Sequence, residues 1–182
     1  MKSGKVFKIF KTKSGKEATL RYLKFDDWMD LLELNNSLVD EEAMIDANIK
    51  KTEKEEIELI CNQIKAIENN EAIVVVPEVD KKVVGICVIS KNRFRESHIG
   101  NLGIAILRDY RGMGIGEKLM EKALEVAKEE LGLKMVTLTI YEDNEIAIRL
   151  YRKLEFKEYG RLPKAVQYKG NLATKVLMYK EL

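Results

Sequence analysis

Residues that bind metals or form disulfides are scarce in this chain. Its 182 residues include one histidine and two cysteines, Cys61 and Cys87. Ordinary zinc sites hold several histidine and cysteine ligands close together, so we expect no metal site. Two cysteines are also too few for a disulfide framework, which fits a reducing compartment. Cys61 falls in a predicted helix and Cys87 in an apolar strand, and we expect both to be buried as small side chains.

An excess of one charge and a long apolar run are also missing. The 32 lysine and arginine residues nearly balance the 30 aspartate and glutamate residues, for a net charge of +2. That balance does not favour binding through bulk charge, so we expect no nucleic-acid partner. No apolar run approaches the roughly 20 residues that span a bilayer, and the first residues lack the apolar core of a signal peptide. We therefore expect no membrane partner and a cytoplasmic location.

The spacing of apolar residues indicates the type of fold. It predicts the order strand, strand, helix, helix, a run of strands, helix, strand, helix, strand, strand. Such an order is typical of an α/β protein, in which a mixed sheet carries helices on both faces. The sequence contains no repeat, low-complexity tract or linker. We therefore expect residues 1–182 to form a single domain.

Local signals predict several element boundaries. Asp26 or Asp27 is expected to cap a helix that begins near Trp28. Pro77 is expected to end an apolar strand that starts at Ala72, because proline interrupts the hydrogen bonds of a strand. The last two strands are predicted over residues 156–161 and 174–180.

A glycine-rich turn between a strand and a helix is the most informative stretch of the chain. The strand alternates apolar residues at Leu102, Ile104 and Ile106, and an amphipathic helix follows over residues 117–131. Glycine lets the backbone approach a ligand closely and leaves amide N–H groups uncovered. The N-terminus of a helix adds unpaired N–H donors and roughly half a positive charge. The stretch Arg111–Gly116 is therefore predicted to hold a diphosphate.

The spacing of these glycines distinguishes between kinds of phosphate loop. The G-x-x-x-x-G-K-S/T run of nucleotide hydrolases is absent, and Glu117 occupies the third glycine position of a dinucleotide fingerprint. The spacing that is present, R-x-x-G-x-G from Arg111 through Gly114 to Gly116, resembles the acyl-CoA signature of the GNAT superfamily of N-acetyltransferases.

Two further segments support the resemblance, which covers roughly residues 17–182. The run from Asn144 to Phe156 is similar to the second block of the family, N-x-x-A-x-x-L-Y-x-x-x-G-F, except that Glu155 replaces its glycine. Upstream, the strand Ile104-Ala105-Ile106 has the shape of the family strand. The resemblance implies a mostly antiparallel, twisted sheet that splays apart beside the glycine turn. It also implies acetyl-CoA as co-substrate and direct transfer of the acetyl group to a primary amine in a ternary complex.

The resemblance also implies roles for individual residues. In the family, pantetheine pairs with the splayed strand, so Ile104 N–H would stabilise the oxyanion and Ile106 would pack on the pantetheine arm. Tyr151 would be the general acid that protonates the leaving thiolate. The cofactor contacts expected in this way are Ile104, Ala105, Ile106, Arg111, Gly112, Met113, Gly114, Ile115, Gly116, Asn144 and Tyr151.

Alternatives remain open for several of these residues. Asn144 would contact the cofactor or cap the following helix, since asparagine is a preferred N-cap. Tyr151 would otherwise be a core tyrosine. Arg108 and Lys118, beside the glycine turn, would add positive charge to the phosphate site or remain a solvated pair.

The general base is the part of the mechanism that the sequence leaves undefined. Subgroups of the family carry a glutamate at either of two positions, where this chain has Asn101 and Thr139. His98 has a suitable pKa and lies near the start of the same strand as Asn101, so it is a catalytic candidate, with a structural role as the alternative.

The nature of the partners is also open at this stage. The acceptor would be the amine of a small molecule or a peptide, including a protein N-terminus, and the protein would be a monomer or a homodimer. A non-catalytic acyl-CoA sensor with the same fold is the competing hypothesis.

Overall fold

The computed structural model describes residues 2–182, which contain nine strands and four α-helices. The strands are β1 (Val6–Lys11), β2 (Glu17–Tyr22), β3 (Ala72–Val79), β4 (Lys82–Val83), β5 (Gly85–Lys91), β6 (Ile99–Ile106), β7 (Met135–Tyr141), β8 (Lys157–Tyr168) and β9 (Asn171–Glu181). The helices are α1 (Trp28–Asp40), α2 (Glu53–Glu68), α3 (Ile115–Leu131) and α4 (Glu145–Lys153). None of these helices is long and apolar enough to cross a membrane.

All of these strands belong to one sheet. Their order across it is β1-β2-β3-β5-β6-β7-β9-β8, with β4 paired to β3. The β6–β7 pair is parallel and the other pairs are antiparallel. The predicted mixed, mostly antiparallel sheet is therefore confirmed.

The core lies around β3 and α3. Residues of β3 are buried at successive positions, and because successive side chains point to opposite faces, both faces of this strand are covered. Helices α2 and α3 both contact β3. The buried face of α3 includes Ala123 and Ala127, whose small side chains allow close packing on the sheet. Cys87 is fully buried as predicted, but Cys61 is partly exposed, so the prediction for Cys61 was wrong.

Neither proline ends its strand, which corrects the predicted boundaries. Strand β3 continues through Pro77 to Val79. The Pro77 carbonyl accepts from Val84 N at 2.9 Å, and Val84 lies at the break between β4 and β5. Because the nitrogen and the carbonyl of a strand residue point to the same side, the Pro77 nitrogen also faces this break. In β8 the pairing register shifts around Pro163. Both prolines therefore lie where a neighbouring ladder is interrupted, so no ladder hydrogen bond is lost.

The predicted cap of α1 is also different. Asp27 is the residue before α1, but its side chain does not bond to the helix N-terminus. Its two carboxylate oxygens accept instead from Arg21 at 2.8 Å each, and Arg21 also donates to Glu78. Arg21 and Asp27 are both buried, so burial of each charge depends on this pairing.

The sheet opens between β6 and β7. Their ladder consists of three pairs, the last being Asn101 with Thr137. Beyond that point β6 remains paired with β5 as far as Ile106, and β7 remains paired with β9 as far as Tyr141. Because each strand follows its outer neighbour, the inner edges diverge. The splayed sheet implied by the family resemblance is therefore present.

Candidate active site

The glycine turn joins the end of β6 to the start of α3. Gly112 has φ +74 and Gly114 has φ +81, which is the left-handed backbone region that residues with a Cβ rarely adopt. Gly114 precedes the first residue of α3 and provides no side-chain cap. Among residues 2–182, no carbonyl or side chain accepts a hydrogen bond from the backbone N–H groups of residues 112–117. This run of free donors at a helix N-terminus suits an anion.

A cavity of about 840 Å³ extends from the glycine turn into the opening between β6 and β7. This volume lies within the usual range for small-molecule sites. Its remaining walls come from α4, from the segment after α1 and from the end of β8. The residues lining it include Lys13, Leu38, Glu41, Ala43, Met44, Ile45, Ile104, Ala105, Ile106, Arg111, Gly112, Gly114, Gly116, Ile140, Asp143, Asn144, Arg149, Leu150, Tyr151 and Tyr168.

The backbone edge of β6 faces this cavity. Leu107 N donates to Val84 O at 2.9 Å, so the N–H of Leu107 points away from the opening. Because the N–H groups of successive strand residues point to opposite edges, Ile104 N–H points towards the opening. The carbonyl of Ile106 lies on the same edge, where it accepts from Arg111 Nε at 2.9 Å. Ile104 therefore presents a backbone donor to the cavity, as the family resemblance requires.

Tyr151 lies on α4 and forms part of the cavity wall. Its side chain packs on Phe156, with 5.9 Å between ring centroids. Its hydroxyl bonds to none of the residues that the structure describes. Burial, together with the neighbouring Cys87, raises the pKa of the Tyr151 phenol above its ordinary value. Since Cys87 pairs directly with Ile104, the phenol lies near the strand whose N–H groups face the cavity.

Asn144 both caps a helix and lines the cavity. Its side-chain oxygen accepts from Ala147 N at 3.2 Å, which satisfies one of the free donors at the start of α4. The capping alternative is therefore confirmed, and a cofactor contact stays a prediction. Glu155 follows α4 with φ 65°, so it adopts the left-handed conformation that the family gives to a glycine.

His98 is not part of the cavity, which corrects its assignment as a catalytic candidate. It is exposed and lies just before β6, where its carbonyl accepts from Lys134 N at 2.8 Å. At about 3.3 Å per residue, an extended strand separates it from Ile104 by about 20 Å. Asn101 is also committed elsewhere, since its amide group bonds to Asn92 and Thr137.

The charged residues predicted around the turn are only partly in place. Lys118 pairs with Glu121 at 2.8 Å, and Arg108 lines a separate depression. Arg111 does line the cavity, but its guanidinium is engaged by Ile106 O and by the Glu41 carboxylate. The Arg111 N–H also donates to the carbonyl of Arg108. The guanidinium and the backbone N–H of Arg111 therefore bond within the protein, and neither is a free donor for phosphate.

Lys13 is the cation that sequence analysis missed. The turn between β1 and β2 packs on the glycine turn, where Lys13 N donates to Met113 O at 3.1 Å. The Lys13 side chain passes over Gly114, with Cγ and Cε each 3.8 Å from the position of a Cβ built there. No carboxylate of the described residues pairs with Lys13 within 4.0 Å. Its charge therefore remains available beside the free N–H groups, although nothing in the hairpin sequence indicates a contact 100 residues away.

The far wall of the cavity was also missed. It is formed by residues 41–45, which follow α1 and which we call the α1 loop. Tyr168 donates its hydroxyl to Glu42 O at 2.7 Å, and Tyr141 donates to Ile45 O at 3.1 Å. The tips of β7 and β8 therefore hold this loop against the cavity. No group of three or more potential metal ligands occurs within residues 2–182.

Comparison with known proteins identifies the family. The model of the acetyltransferase (GNAT) family matches residues 27–156. This chain belongs to the GNAT family. L-amino acid N-acetyltransferase AaaT of Escherichia coli is 31% identical to it over 83 residues, which are 45% of this chain and 51% of the relative. N-alpha-acetyltransferase of Sulfurisphaera tokodaii is 32% identical over 105 residues, 52% of this chain and 62% of the relative.

A solved structure supports the fold over a longer stretch than these relatives. The chain spans only about half the length of the curated relatives it matches. YncA of Salmonella typhimurium, a structure that contains its cofactor acetyl-CoA, has a TM-score of 0.81 and covers 91% of this chain and 94% of its own. At 20% identity this likeness establishes that the two proteins share a fold.

Proposed function

We propose that residues 1–182 form one N-acetyltransferase domain, which moves the acetyl group of acetyl-CoA to a primary amine by direct transfer in a ternary complex. One observation carries the proposal. The glycines of the turn whose N–H groups are free, the strand β6 with its open edge, and Tyr151 all line the same cavity.

The diphosphate of acetyl-CoA would bind at the glycine turn. The N–H groups of residues 112–117 are the donors, and the positive end of α3 adds to their attraction for an anion. Lys13 would supply a charged side chain on the same side. Leu150 lies near Gly116, where it narrows the groove for the apolar part of the cofactor.

The thioester would lie along the open edge of β6. Pantetheine has amide groups that pair with a strand edge, which places the acetyl carbonyl at Ile104 N–H and the pantetheine arm against Ile106. The amine nitrogen attacks the carbonyl carbon, and the oxygen takes up negative charge that Ile104 N–H stabilises. A donor of this kind contributes most when the charge develops, because it stabilises the transition state more than the substrate.

The C–S bond then breaks and the sulfur takes a proton from Tyr151. The raised pKa keeps the phenol protonated at neutral pH, so the proton is present when it is needed. The same shift makes the phenol a weaker acid than a thiol, so transfer of its proton is completed only if the phenolate regains a proton. Solvent would take up the proton that the amine loses and return one to the phenolate, which restores Tyr151.

A covalent acyl-enzyme is not part of this proposal because the cavity contains no cysteine. The buried Cys87 lies on β5, next to β6 in the sheet, and burial raises the pKa of its thiol to about 12. Such a thiol is a poor nucleophile at neutral pH. Direct attack by the amine therefore fits the lining residues better than a two-step route through the enzyme.

The identity of the acceptor is the open part of the function. The names of the two relatives give different acceptors, L-amino acids for one and an α-amino group for the other. A decisive experiment measures release of coenzyme A thiol from acetyl-CoA with a panel of L-amino acids, polyamines, aminoglycosides and N-terminal peptides. Turnover with at least one amine, and its loss in Tyr151→Phe, would support the proposal. Binding of acetyl-CoA without turnover of any amine would favour a sensor instead.

A further inference from the structure

Arg111 joins the glycine turn to the α1 loop. Its guanidinium donates from Nε to Ile106 O at 2.9 Å and from its two terminal nitrogens to the two carboxylate oxygens of Glu41, one of them at 3.2 Å. Such a two-pronged pair holds both partners in one orientation, because it needs two donors and two acceptors in a plane. The side chain of Arg111 thus joins the end of β6 to the carboxylate of Glu41. In the chain, Arg111 comes directly before the N–H groups that we assign to the phosphates.

This pair is the link between the α1 loop and the glycine turn. Within residues 2–182, the other side-chain contacts that hold the loop come from Tyr141, Tyr168 and Lys169, at the far end of the cavity. The backbone of Glu41 is itself fixed, since its N–H donates to Ser37 O at 3.0 Å at the end of α1. A shift of the glycine turn would therefore be transmitted through Arg111 to Glu41 and to the loop.

Burial indicates that this contact is stronger than its neighbour. In the first pair Glu41 is 15% exposed and Arg111 is 44% exposed, whereas in the second pair Glu42 is 67% exposed and Lys169 is 50% exposed. Exposed pairs contribute little to stability, while partly buried, two-pronged ones contribute more. The two adjacent glutamates thus offer a matched comparison between a coupled and an uncoupled ion pair.

We propose that the Arg111–Glu41 pair couples the two ends of the cavity, so that occupation of the glycine turn by coenzyme A orders the α1 loop against the acceptor. This inference rests on the proposed function, which assigns coenzyme A to the glycine turn. Arg111 and Glu41 are positioning residues in this view, and neither touches the reacting atoms. The predicted consequence is that binding of the cofactor makes the acceptor wall firmer than its contacts with β7 and β8 alone do.

Hydrogen exchange of the α1 loop, with coenzyme A as the probe, tests the coupling. In the unmodified protein, saturating coenzyme A should slow exchange at residues 41–45 by about fivefold or more, the lower range of couplings between sites. In Glu41→Gln this slowing should disappear while the affinity for coenzyme A changes by less than about threefold. Glu42→Gln, the matched control, should behave like the unmodified protein.

A second variant separates the pair from general loop damage. Arg111→Lys keeps a positive charge at the turn but loses the two-pronged geometry, so it should also abolish the slowing. Slowing that persists in both Glu41→Gln and Arg111→Lys would overturn the coupling, as would its loss in Glu42→Gln. If coenzyme A fails to bind the unmodified protein, the proposed function fails, and the coupling fails with it.

Discussion

The two ends of the cavity are built in different ways. The end that we assign to the phosphates, called the phosphate end below, consists of backbone groups from residues 112–117 and depends on the backbone conformations of Gly112 and Gly114. The end that we assign to the acceptor consists of side chains from the α1 loop and from the ends of β7 and β8. A site made of consecutive backbone groups tolerates changes of many side chains. A site assembled from distant segments depends on each contact between them, which makes it the place where acceptor preference can change.

The largest predicted effect concerns Tyr151, which lies between the two ends. Tyr151→Phe keeps the ring against Phe156 and removes the hydroxyl, so turnover should fall by roughly 10²–10⁴ with little change in the affinity for acetyl-CoA. Because the pKa of the phenol is raised, its ionisation should not reduce activity below about pH 10, its ordinary value. Rates of thiol release across pH measure both.

The exposed Tyr159 provides the control for this variant. Tyr159→Phe removes the same hydroxyl at a distance from the cavity and should turn over at the parent rate. Equal rates for Tyr151→Phe and the unmodified protein would mean that the thiolate leaves without a proton from this side chain.

The next largest effect concerns Gly114, at the phosphate end of the cavity. Gly114→Val forces a β-branched residue to adopt φ +81, which costs about 1–2 kcal/mol, and places its side chain against Lys13. Affinity for acetyl-CoA, measured by calorimetry, should fall about tenfold or more. Gly132→Val is the control, because Gly132 has φ +65 at the far end of α3 and should cost stability without weakening binding. Unchanged affinity in a folded Gly114→Val protein would contradict the phosphate assignment.

A smaller effect tests whether a side chain assists the backbone at this end. Lys13→Met retains the apolar stem over Gly114 and removes one charge, and an exposed contact of this kind contributes up to about 1 kcal/mol. Affinity for acetyl-CoA should fall about fivefold and should depend less steeply on salt than in the unmodified protein. Lys11→Met, on the same hairpin but outside the cavity lining, should bind as before. Identical salt dependence in the two variants would remove Lys13 from the phosphate site.

The smallest expected effect is none at all. In the proposed chemistry, backbone N–H groups bind the diphosphate and the oxyanion, and a phenol protonates the leaving thiolate. None of these steps requires a metal. Treatment with a chelator followed by dialysis should leave the rate of thiol release unchanged. A loss of activity that added zinc restores would show that a metal site has been overlooked.

The glycine turn and the helix that carries Tyr151 could be located from the sequence because their signals are contiguous. The glycine spacing in Arg111–Gly116 and the block from Asn144 to Phe156 each lie within one turn or one helix. Most element positions followed from apolar periodicity for the same reason. The ends of β3 and β8 were missed because the effect of a proline depends on whether the neighbouring strand needs its N–H, which is a property of the sheet.

The amino-acid sequence alone determined the fold class, the family and the position of the glycine turn, because these depend on local spacing. Only the tertiary structure decided which side chains surround that turn. It placed Lys13 over Gly114, tied Arg111 to Glu41 and removed His98 from the site. Each of these outcomes depends on which segments meet in space. Such contacts join residues up to about 100 positions apart, and no pattern within either segment carries information about the other.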